Sequence, residues 1–496
     1  MFARTLIISA MLGWGYNSAT AADYYPEFMF IPDASGSMSE VAGGKTKIAV
    51  AKEVMHQIVP QLHENIRVGL TAYGHRRPGD CSDIEVLIPA GSTDRTALLQ
   101  HVDQLQARGR TPISAAILSV SSMLKLKEAE TTIILVSDGI ETCGGDPCQV
   151  VVQLQKTGVK FVLHTVGFHV NAAAAQQLEC VAGAGGGKYF AANDADQLLK
   201  ALKAVSSDVL EKAQQVDPAT VRNRIGISGL GKLRVTMPIG SEVSLAQLNI
   251  SDVTADTIKR NVDKPKADGT YPLLSGQYSV MLGFATPSYG QPTTTKLGNV
   301  TIVKGETLEV KLGSISFNIP EKLENDLSIN QVLITDAGTN EVIVTVRKNG
   351  NSYYHFKPKP IVAGVYKVCL NYTGKDEQPS VIARNVVVEP GKDTVVTLNT
   401  GIQLKEADDV IGWELIPTET AEISDKAEGE VATAIQPAVK LVWDGYGNDD
   451  HLWHPYLTIP GTYNLNVYLK GMKEPLPAGA DIVIKAGELL QFDAGL

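Results

Sequence analysis

The sequence predicts a doubly wound α/β domain over residues 23–214, followed by tandem all-β sandwich modules. From residue 27 to about residue 214, short β-rich runs alternate with stretches whose apolar residues recur every three or four positions. This alternation is typical of a sheet with helices packed on its faces. From about Gly226 the helical period disappears, and short alternating strands separated by Gly and Pro turns take over.

The α/β part divides into six predicted strands, which are residues 28–31, 66–73, 84–89, 132–136, 159–166 and 188–190. Between the first two strands, apolar residues recur at helical spacing, so we expect one helix face to pack on the sheet. The second and third strands are joined by a short Gly/Pro/Asp loop with no helix. We therefore expect this pair to be an antiparallel hairpin at the edge of the sheet.

The β part contains an internal repeat with a spacing of about 90 residues. A Gly-x-Tyr mark opens three strands, at Gly276-Gln277-Tyr278, Gly364-Val365-Tyr366 and Gly461-Thr462-Tyr463. A second mark then precedes a turn glycine by six residues, at Asn299-Val300, Asn385-Val386 and Asp481-Ile482. We predict modules at residues 226–314, 315–401 and 402–496, which resemble prealbumin-like or carboxypeptidase-regulatory-like repeats.

Composition and the N-terminus limit the class of protein. The 496 residues are 44% apolar and 20% charged, as expected for globular domains. Asp and Glu (54) outnumber Lys and Arg (44), with no basic run, so we expect no nucleic-acid partner. Arg4, an apolar stretch at residues 6–14 and the small residues Ala19-Thr20-Ala21 predict a cleavable signal peptide at residues 1–22. An uncleaved anchor or a buried strand is the alternative, but the stretch is shorter than the ~20 residues that span a bilayer.

We therefore predict a periplasmic or secreted protein without a transmembrane segment, with an α/β domain at residues 23–214 and a linker at residues 215–225. Four of its five cysteines lie in the α/β domain. The oxidising compartment of a periplasmic or secreted protein would permit these cysteines to form disulfides. Three connectivities are possible. The short loop between them favours Cys143 with Cys148, which leaves Cys81 with Cys180. Cys369 is expected to face away from the core of its module, unpaired.

The most specific pattern follows the first strand, in Asp33-Ala34-Ser35-Gly36-Ser37. A carboxylate and two hydroxyls spaced two residues apart can converge on one point if the loop curls, and Gly36 supplies the freedom to curl. Such oxygens suit hard cations such as Mg²⁺, Mn²⁺ or Ca²⁺.

Two further oxygen donors occur in loops that we expect to meet this one. Thr111 precedes a helix, and Asp138 follows the fourth strand. The first and fourth strands of such a sheet flank its topological switch point, so their carboxyl ends share one crevice. We expect Asp33 and Thr111 to lie at strand and loop ends that face solvent.

Together these residues resemble the metal-ion-dependent adhesion site of Rossmann-like von Willebrand factor A (vWA) domains, over about residues 24–210. The resemblance implies that Ser35, Ser37 and Thr111 bind a divalent cation through their hydroxyls, while Asp33 and Asp138 act directly or through waters. It also implies one open coordination position for an acidic group of a protein or glycan partner. Further segments resemble bacterial secreted members of the family, namely Val68-Gly69-Leu70, Tyr73-Gly74-His75-Arg76, residues 81–85, residues 139–143 and residues 186–190.

Other motifs are weaker indications of a binding site. Gly43-Gly44-Lys45-Thr46 lacks the first glycine of a phosphate-binding loop, because Ser39 stands there. His451 and His454 form an isolated H-x-x-H pair. His75, Arg76 and Arg77 follow the second strand and either contact an anionic partner or form a solvated loop.

The sequence therefore favours a metal-dependent binding or adhesion protein of the cell envelope or exterior, and not an enzyme, so no catalytic residue is predicted. H-E-x-x-H and G-x-S-x-G motifs are absent from the sequence. The alternatives are a metal-dependent hydrolase or enzyme-complex subunit, and an envelope scaffold with an inert site.

Overall fold

A computed structural model describes residues 25–127, 130–214, 230–239, 244–252, 259–262, 265, 268–285, 293–320, 323, 329–347, 358–372, 379–407, 409–418, 439–442 and 452–495. The predicted signal peptide, the predicted linker and His451 lie outside these residues.

The N-terminal part is an α/β domain, as the sequence predicts. Its strands are β1 (Glu27–Pro32), β2 (Val41–Ala42), β3 (Lys45–Thr46), β4 (Arg67–Tyr73), β5 (Ile84–Ser92), β6 (Thr131–Ser137), β7 (Phe161–Phe168) and β8 (Gly186–Ala192). Its helices are α1 (Lys47–Ile58), α2 (Arg95–Gln104), α3 (Ile113–Leu124), α4 (Pro147–Lys156), α5 (Ala172–Ala184) and α6 (Ala195–Gln214). Within the described ranges, no helix is both long and apolar enough to cross a membrane.

The six longer strands form one sheet in the order β5-β4-β1-β6-β7-β8. Strand β1 pairs in parallel with β4 and β6, whereas β4 and β5 form the predicted antiparallel hairpin at the sheet edge. Alternate residues of β1 enter different cores because side chains alternate across a strand. Phe28 and Phe30 pack with α1, α2 and α6, while Met29 and Ile31 pack with α3, α4 and α5.

The glycine pair that resembled a phosphate-binding loop forms a tight hairpin turn instead. Strands β2 and β3 pair antiparallel, and Gly43 and Gly44 between them have φ of 62° and 87°. Positive φ at both central residues of a two-residue turn favours glycine.

The remainder of the chain is β-rich. Its strands are β9 (Leu230–Thr236), β10 (Ser244–Asp252), β11 (Lys259–Val262), β12 (Thr270–Leu274), β13 (Gly276–Ala285), β14 (Thr293–Ile302), β15 (Thr307–Asn318), β16 (Ile329–Asp336), β17 (Val342–Arg347), β18 (Lys359–Val362), β19 (Gly364–Tyr372), β20 (Ser380–Val388), β21 (Asp393–Thr397), β22 (Gly401–Leu404), β23 (Val410–Pro417), β24 (Val439–Val442), β25 (Tyr456–Leu457), β26 (Gly461–Leu469), β27 (Leu476–Ile484) and β28 (Leu489–Phe492).

The Gly-x-Tyr marks open strands β13, β19 and β26, and each tyrosine closes the turn that precedes its strand. The hydroxyls of Tyr278, Tyr366 and Tyr463 donate to the carbonyl four residues earlier, at 2.8, 2.6 and 2.8 Å respectively. The second mark coincides with irregular pairing in the next strand, where Gly298, Asn385 and Asp481 all have positive φ. The repeat thus corresponds to a recurring strand, corner and bulge.

The 12-residue strand β15 joins two sets of strands into one five-stranded sheet. Its first half pairs in parallel with β9, and its second half pairs in parallel with β21 and antiparallel with β18. The predicted module boundary between residues 314 and 315 lies inside this strand. Strand β22 likewise pairs in parallel with β28.

The β part packs directly on the α/β domain through helix α3. The Lys125 ammonium contacts the Asp336 carboxylate, and their side chains are only 9% and 6% exposed. The Ser122 hydroxyl donates to the same carboxylate at 2.7 Å. A Cβ on Gly338 would lie 2.2 Å from the Leu118 carbonyl oxygen, so the backbones touch.

The four cysteines of the α/β domain form two disulfides, but the favoured pairing was wrong. The bonds join Cys81 to Cys143 and Cys148 to Cys180, each with a Cα–Cα distance of 5.6 Å. Asp146 caps α4 and Pro147 begins it, which places Cys148 in the first helical turn, beside α5 and away from Cys143. Cys369 is unpaired, as expected, and it is buried.

Candidate metal centre

The loop that carries Asp33, Ser35 and Ser37 is held by main-chain hydrogen bonds to three neighbouring segments. The Asp33 amide donates to the Val136 carbonyl at 2.9 Å, and the Ala34 amide donates to the Tyr73 carbonyl at 3.1 Å. The Gly36 amide donates to the Gly109 carbonyl at 2.9 Å. The loop is therefore anchored between the ends of β4 and β6 and the segment before α3.

The curl of this loop does not require the freedom of Gly36. Residues Gly36–Ser39 form a 3₁₀ turn, and a Cβ on Gly36 would have ordinary contacts at 3.7 Å. Glycine is required instead in the neighbouring segments. A Cβ on Gly74, which has φ of 69°, would lie 2.5 Å from the Arg110 carbonyl oxygen, and one on Gly109 would lie 2.8 Å from the Gly74 Cα. These two glycines allow the segment before α3 to lie against the Ser35 loop.

The structure connects four of the five predicted ligands by short hydrogen bonds. The hydroxyls of Ser35 and Ser37 are 3.1 Å apart, and Ser37 donates to Asp138 Oδ1 at 2.7 Å. Asp33 Oδ1 accepts from the Ser35 amide at 2.7 Å, and Asp33 Oδ2 accepts from the Ser137 hydroxyl at 2.6 Å. Ser137 is thus an additional residue that orients Asp33.

Thr111 is placed by main-chain bonds to the loop after β6. Its amide donates to the Thr142 hydroxyl at 2.8 Å, and the Thr142 amide donates to the Thr111 carbonyl at 3.2 Å. Ser35 and Gly109 form an isolated parallel bridge, so Thr111 lies two residues beyond a direct contact with the Ser35 loop.

The expectation that Asp33 and Thr111 face solvent was wrong. Asp33 is 0% exposed and Thr111 is 4% exposed, because three loops close over the end of the sheet. Burial and the charge of Asp138 raise the pKa of Asp33 from 3.8 to about 6. The hydroxyl of Tyr73 is also buried beside this carboxylate, without a hydrogen-bond partner of good geometry among the described residues.

This donor set fits a hard divalent cation. It combines two buried carboxylates, whose mutual repulsion a cation would relieve, with neutral hydroxyls at hydrogen-bond distance. Within the described ranges, no group of three or more His, Cys, Asp or Glu side chains is arranged to hold a metal. The candidate site differs from such groups because three of its five side chains are hydroxyls.

Comparison with known proteins identifies the domain. A model of the von Willebrand factor type A domain matches residues 27–204, which span the six-stranded sheet. The uncharacterized protein YwmC of Bacillus subtilis (strain 168) is 30% identical over 169 residues, or 32% of this chain and 74% of that protein. The chain belongs to the von Willebrand factor type A domain family.

Two other proteins are similar to this chain. The uncharacterized protein YwmD of the same organism is 28% identical over 178 residues, or 34% of this chain and 80% of that protein. The pilus adhesin SpaC from Lactobacillus rhamnosus GG is 11% identical, with a TM-score of 0.33, over 95% of this chain and 85% of that chain.

A lysine that no sequence motif indicated, Lys47, also lies at the candidate site of the vWA domain. Lys47 begins α1, and its ammonium donates to Asp138 Oδ2 at 2.9 Å and to Glu40 Oε2 at 2.7 Å. Burial lowers the pKa of Lys47, but the hydrogen bonds and charges of the two carboxylates outweigh burial and raise it. The lysine shares a buried helix face with Val50, Ala51 and Val54. A cationic residue on an otherwise apolar helix face is the sequence pattern that could have indicated a buried partner for it.

The basic residues after β4 mainly organise their own loop. The amides of Arg76 and Arg77 donate to Asp83 Oδ2 at 2.7 and 2.9 Å, and the Arg76 guanidinium pairs with the same carboxylate. His75 lies 2.9 Å from Glu85. The Cys81–Cys143 disulfide ties this loop to the loop after β6.

Two other cations are more exposed beside the site. Arg108 and Arg110 flank Gly109 and are exposed in the segment that touches the Ser35 loop. These two arginines were not among the predicted site residues, although the sequence places them on either side of Gly109.

Proposed function

We propose that this chain is a divalent-metal-dependent binding protein of the cell envelope or exterior. Asp33, Ser35, Ser37, Thr111 and Asp138 hold Mg²⁺, Mn²⁺ or Ca²⁺. The cation then receives an acidic group from a protein or glycan partner.

The observation that carries this proposal is a hydrogen-bonded series of side chains at the carboxyl end of the sheet, formed by Asp33, Ser35, Ser37 and Asp138. A bound cation would offset the negative charges of the two carboxylates, Asp33 and Asp138. Because hydroxyl ligands carry no formal charge, they leave the cation more electrophilic than a cage of carboxylates would. Such a cation favours an anionic sixth ligand.

The charges around the site support an acidic partner. Arg108 and Arg110 are exposed next to Thr111, whereas the chain as a whole carries a formal charge of -10. A local cationic edge on an acidic protein attracts anions over a distance of about a Debye length, ~8–10 Å at physiological salt.

The two disulfides of the vWA domain support an oxidising compartment. With the predicted signal peptide, they support a periplasmic or secreted location.

The geometry is less favourable for the enzyme alternative. A hydrolase needs a general base within reach of a metal-bound water. Asp33 already accepts hydrogen bonds from the Ser35 amide and the Ser137 hydroxyl, and Asp138 accepts from Ser37 and Lys47. Both carboxylates are therefore committed to holding the site together.

Titration calorimetry of the full chain with Mg²⁺, Mn²⁺ and Ca²⁺ tests the metal. We expect the wild-type protein to bind at least one of these ions, and Asp33→Asn and Thr111→Ala to lose binding. Ser39→Ala is a matched control, because the Ser39 hydroxyl lies in the same loop but donates only to the Gly36 carbonyl. Absence of uptake by the wild-type protein at millimolar ion would refute the metal site.

A pull-down from an envelope extract separates a binding protein from an inert scaffold. We expect a partner to be retained with metal and released by chelator, and to be lost with Thr111→Ala but not with Ser39→Ala. Retention that is indifferent to chelator and to Thr111→Ala would favour the scaffold alternative.

A further inference from the structure

The proposed metal site contains a buried cationic side chain, Lys47, in addition to the residues proposed to bind the metal. Its side chain is only 9% exposed, and its ammonium lies 2.9 Å from Asp138 Oδ2. The other oxygen of that carboxylate accepts from Ser37. Asp138 therefore has one oxygen directed to the ligand hydroxyls and the other neutralised by the lysine.

The resulting charge count differs from that of a simple two-carboxylate site. Asp33 and Asp138 contribute two negative charges. The Lys47 ammonium neutralises one of these charges, because it lies within hydrogen-bond distance of Asp138. Glu40 also pairs with Lys47, but its side chain is 66% exposed and solvent screens its charge. A divalent cation would therefore leave the buried group with one excess positive charge.

We propose that Lys47 sets the metal site to require the partner's carboxylate, so that cation and partner bind cooperatively. This inference rests on the proposed function of the site. The lysine repels the cation when no partner is present, which weakens binding of the metal alone. A partner carboxylate supplies the missing negative charge, and linkage requires that each ligand strengthens the binding of the other by the same factor.

Lys47 also has a positioning role, since it holds Asp138 in place before the metal arrives. Without the ammonium, Asp138 would be a buried carboxylate whose remaining side-chain donor, among the described residues, is the Ser37 hydroxyl on Oδ1. A cation would then be the main source of compensation for that charge. The two roles predict opposite effects, namely a less stable metal-free protein and a tighter metal complex.

The test compares Mn²⁺ binding by the wild-type full chain, Lys47→Met and Lys45→Met. Lys45→Met is a matched control, because the same change is made two residues earlier on an exposed lysine that pairs with Glu53. Dissociation constants are measured by titration calorimetry and by the electron paramagnetic resonance signal of free Mn²⁺. Each is measured with sodium acetate as the carboxylate probe and with sodium chloride at equal ionic strength.

We expect Lys47→Met to bind Mn²⁺ about tenfold or more tightly than wild type in chloride, because a like charge has been removed from a low-dielectric site. Acetate should strengthen Mn²⁺ binding to wild type and Lys45→Met, and have a smaller effect on Lys47→Met. Lys47→Arg keeps the charge and should remain close to wild type. Mn²⁺ should also raise the melting temperature of Lys47→Met more than that of wild type, a difference that a purely structural lysine would not produce.

Equal or weaker Mn²⁺ binding by folded Lys47→Met would overturn the inference. If Lys47→Met does not fold, Lys47→Gln is measured in its place, with the same expectation. If neither wild type nor any variant binds Mn²⁺ in acetate or chloride, the proposed function itself fails, and the inference fails with it. Metal binding that is equal in all variants leaves the proposed function standing and removes only the role of Lys47.

Discussion

Replacement of Lys125 by Met should weaken the attachment of the β part to the vWA domain. Lys125 and Asp336 are both almost fully buried, so the substitution leaves a carboxylate without its cation. Burial would raise the pKa of Asp336, but Lys125 and hydrogen-bond donors outweigh burial and lower it. The folded structure thus favours the ionised carboxylate, which the substitution would leave buried without its cation.

Loss of one partner of a buried ion pair costs about 3–5 kcal/mol. Asp336 would keep its bonds from the Ser122 hydroxyl and from the amides of Gly338 and Thr339. We therefore expect the lower end, about 3 kcal/mol, which is roughly a hundredfold change in an opening equilibrium. The matched control is Lys405→Met, whose partner Asp493 is exposed, and its effect should be far smaller.

Native-state hydrogen exchange measured by mass spectrometry is the appropriate assay, because a chain of several domains need not unfold in one step. Amides of α3 and β16 should lose roughly a hundredfold in protection in Lys125→Met, and those of β26 should change little. The double variant Lys125→Met/Asp336→Asn should recover part of the loss, since the stranded charge is gone. Equal effects of Lys125→Met and Lys405→Met would refute the reasoning, as would a double variant that is no better than Lys125→Met.

Three further predictions follow from single groups. In the presence of chelator, the native protein keeps a proton on Asp33 up to pH about 6, whereas the unfolded chain releases that proton near pH 3.8. The free energy of unfolding should therefore fall as the pH rises from 3.8 to about 6, by up to about 3 kcal/mol. Asp33→Asn should abolish this component of the pH dependence in denaturant titrations, and an unchanged profile would contradict the raised pKa. The unfolded, non-reduced protein should titrate with a single thiol, Cys369, and five thiols would exclude both disulfides. Tyr366→Phe should cost about 1 kcal/mol in chemical denaturation by removing its bond to the Val362 carbonyl, and Tyr278→Phe should cost less because its bond is exposed.

The sheet of the vWA domain could be predicted because each strand is short, apolar and bounded by turn residues. The hairpin of β4 and β5 followed from a loop too short to carry a crossover helix. The three Gly-x-Tyr marks could also be found, since each corner uses the same tyrosine bond to its own preceding turn. In all these cases the physical cause lies within a few residues of the pattern.

The features that the sequence did not predict depend on contacts between distant segments. Cysteine spacing could not show that the start of α4 directs Cys148 to α5. Burial of Asp33 results from the packing of three separate loops, and the role of Lys47 requires that α1 begins beside Asp138. Nor does an alternating pattern show that β15 pairs with β9 in its first half and with β18 and β21 in its second half.

The parallel pairing of first and last strands has a mechanical consequence for a protein that is proposed to hold a partner. Strand β15 lies parallel to β9 before it and to β21 after it, and β22 lies parallel to β28. The chain therefore enters and leaves each of these units at opposite ends. A pull along the chain slides the paired strands past each other, so their hydrogen bonds resist together and are not broken one at a time. Resistance to such a pull is governed by the rate of unfolding, so we expect this strand arrangement to slow the unfolding of the β part under tension.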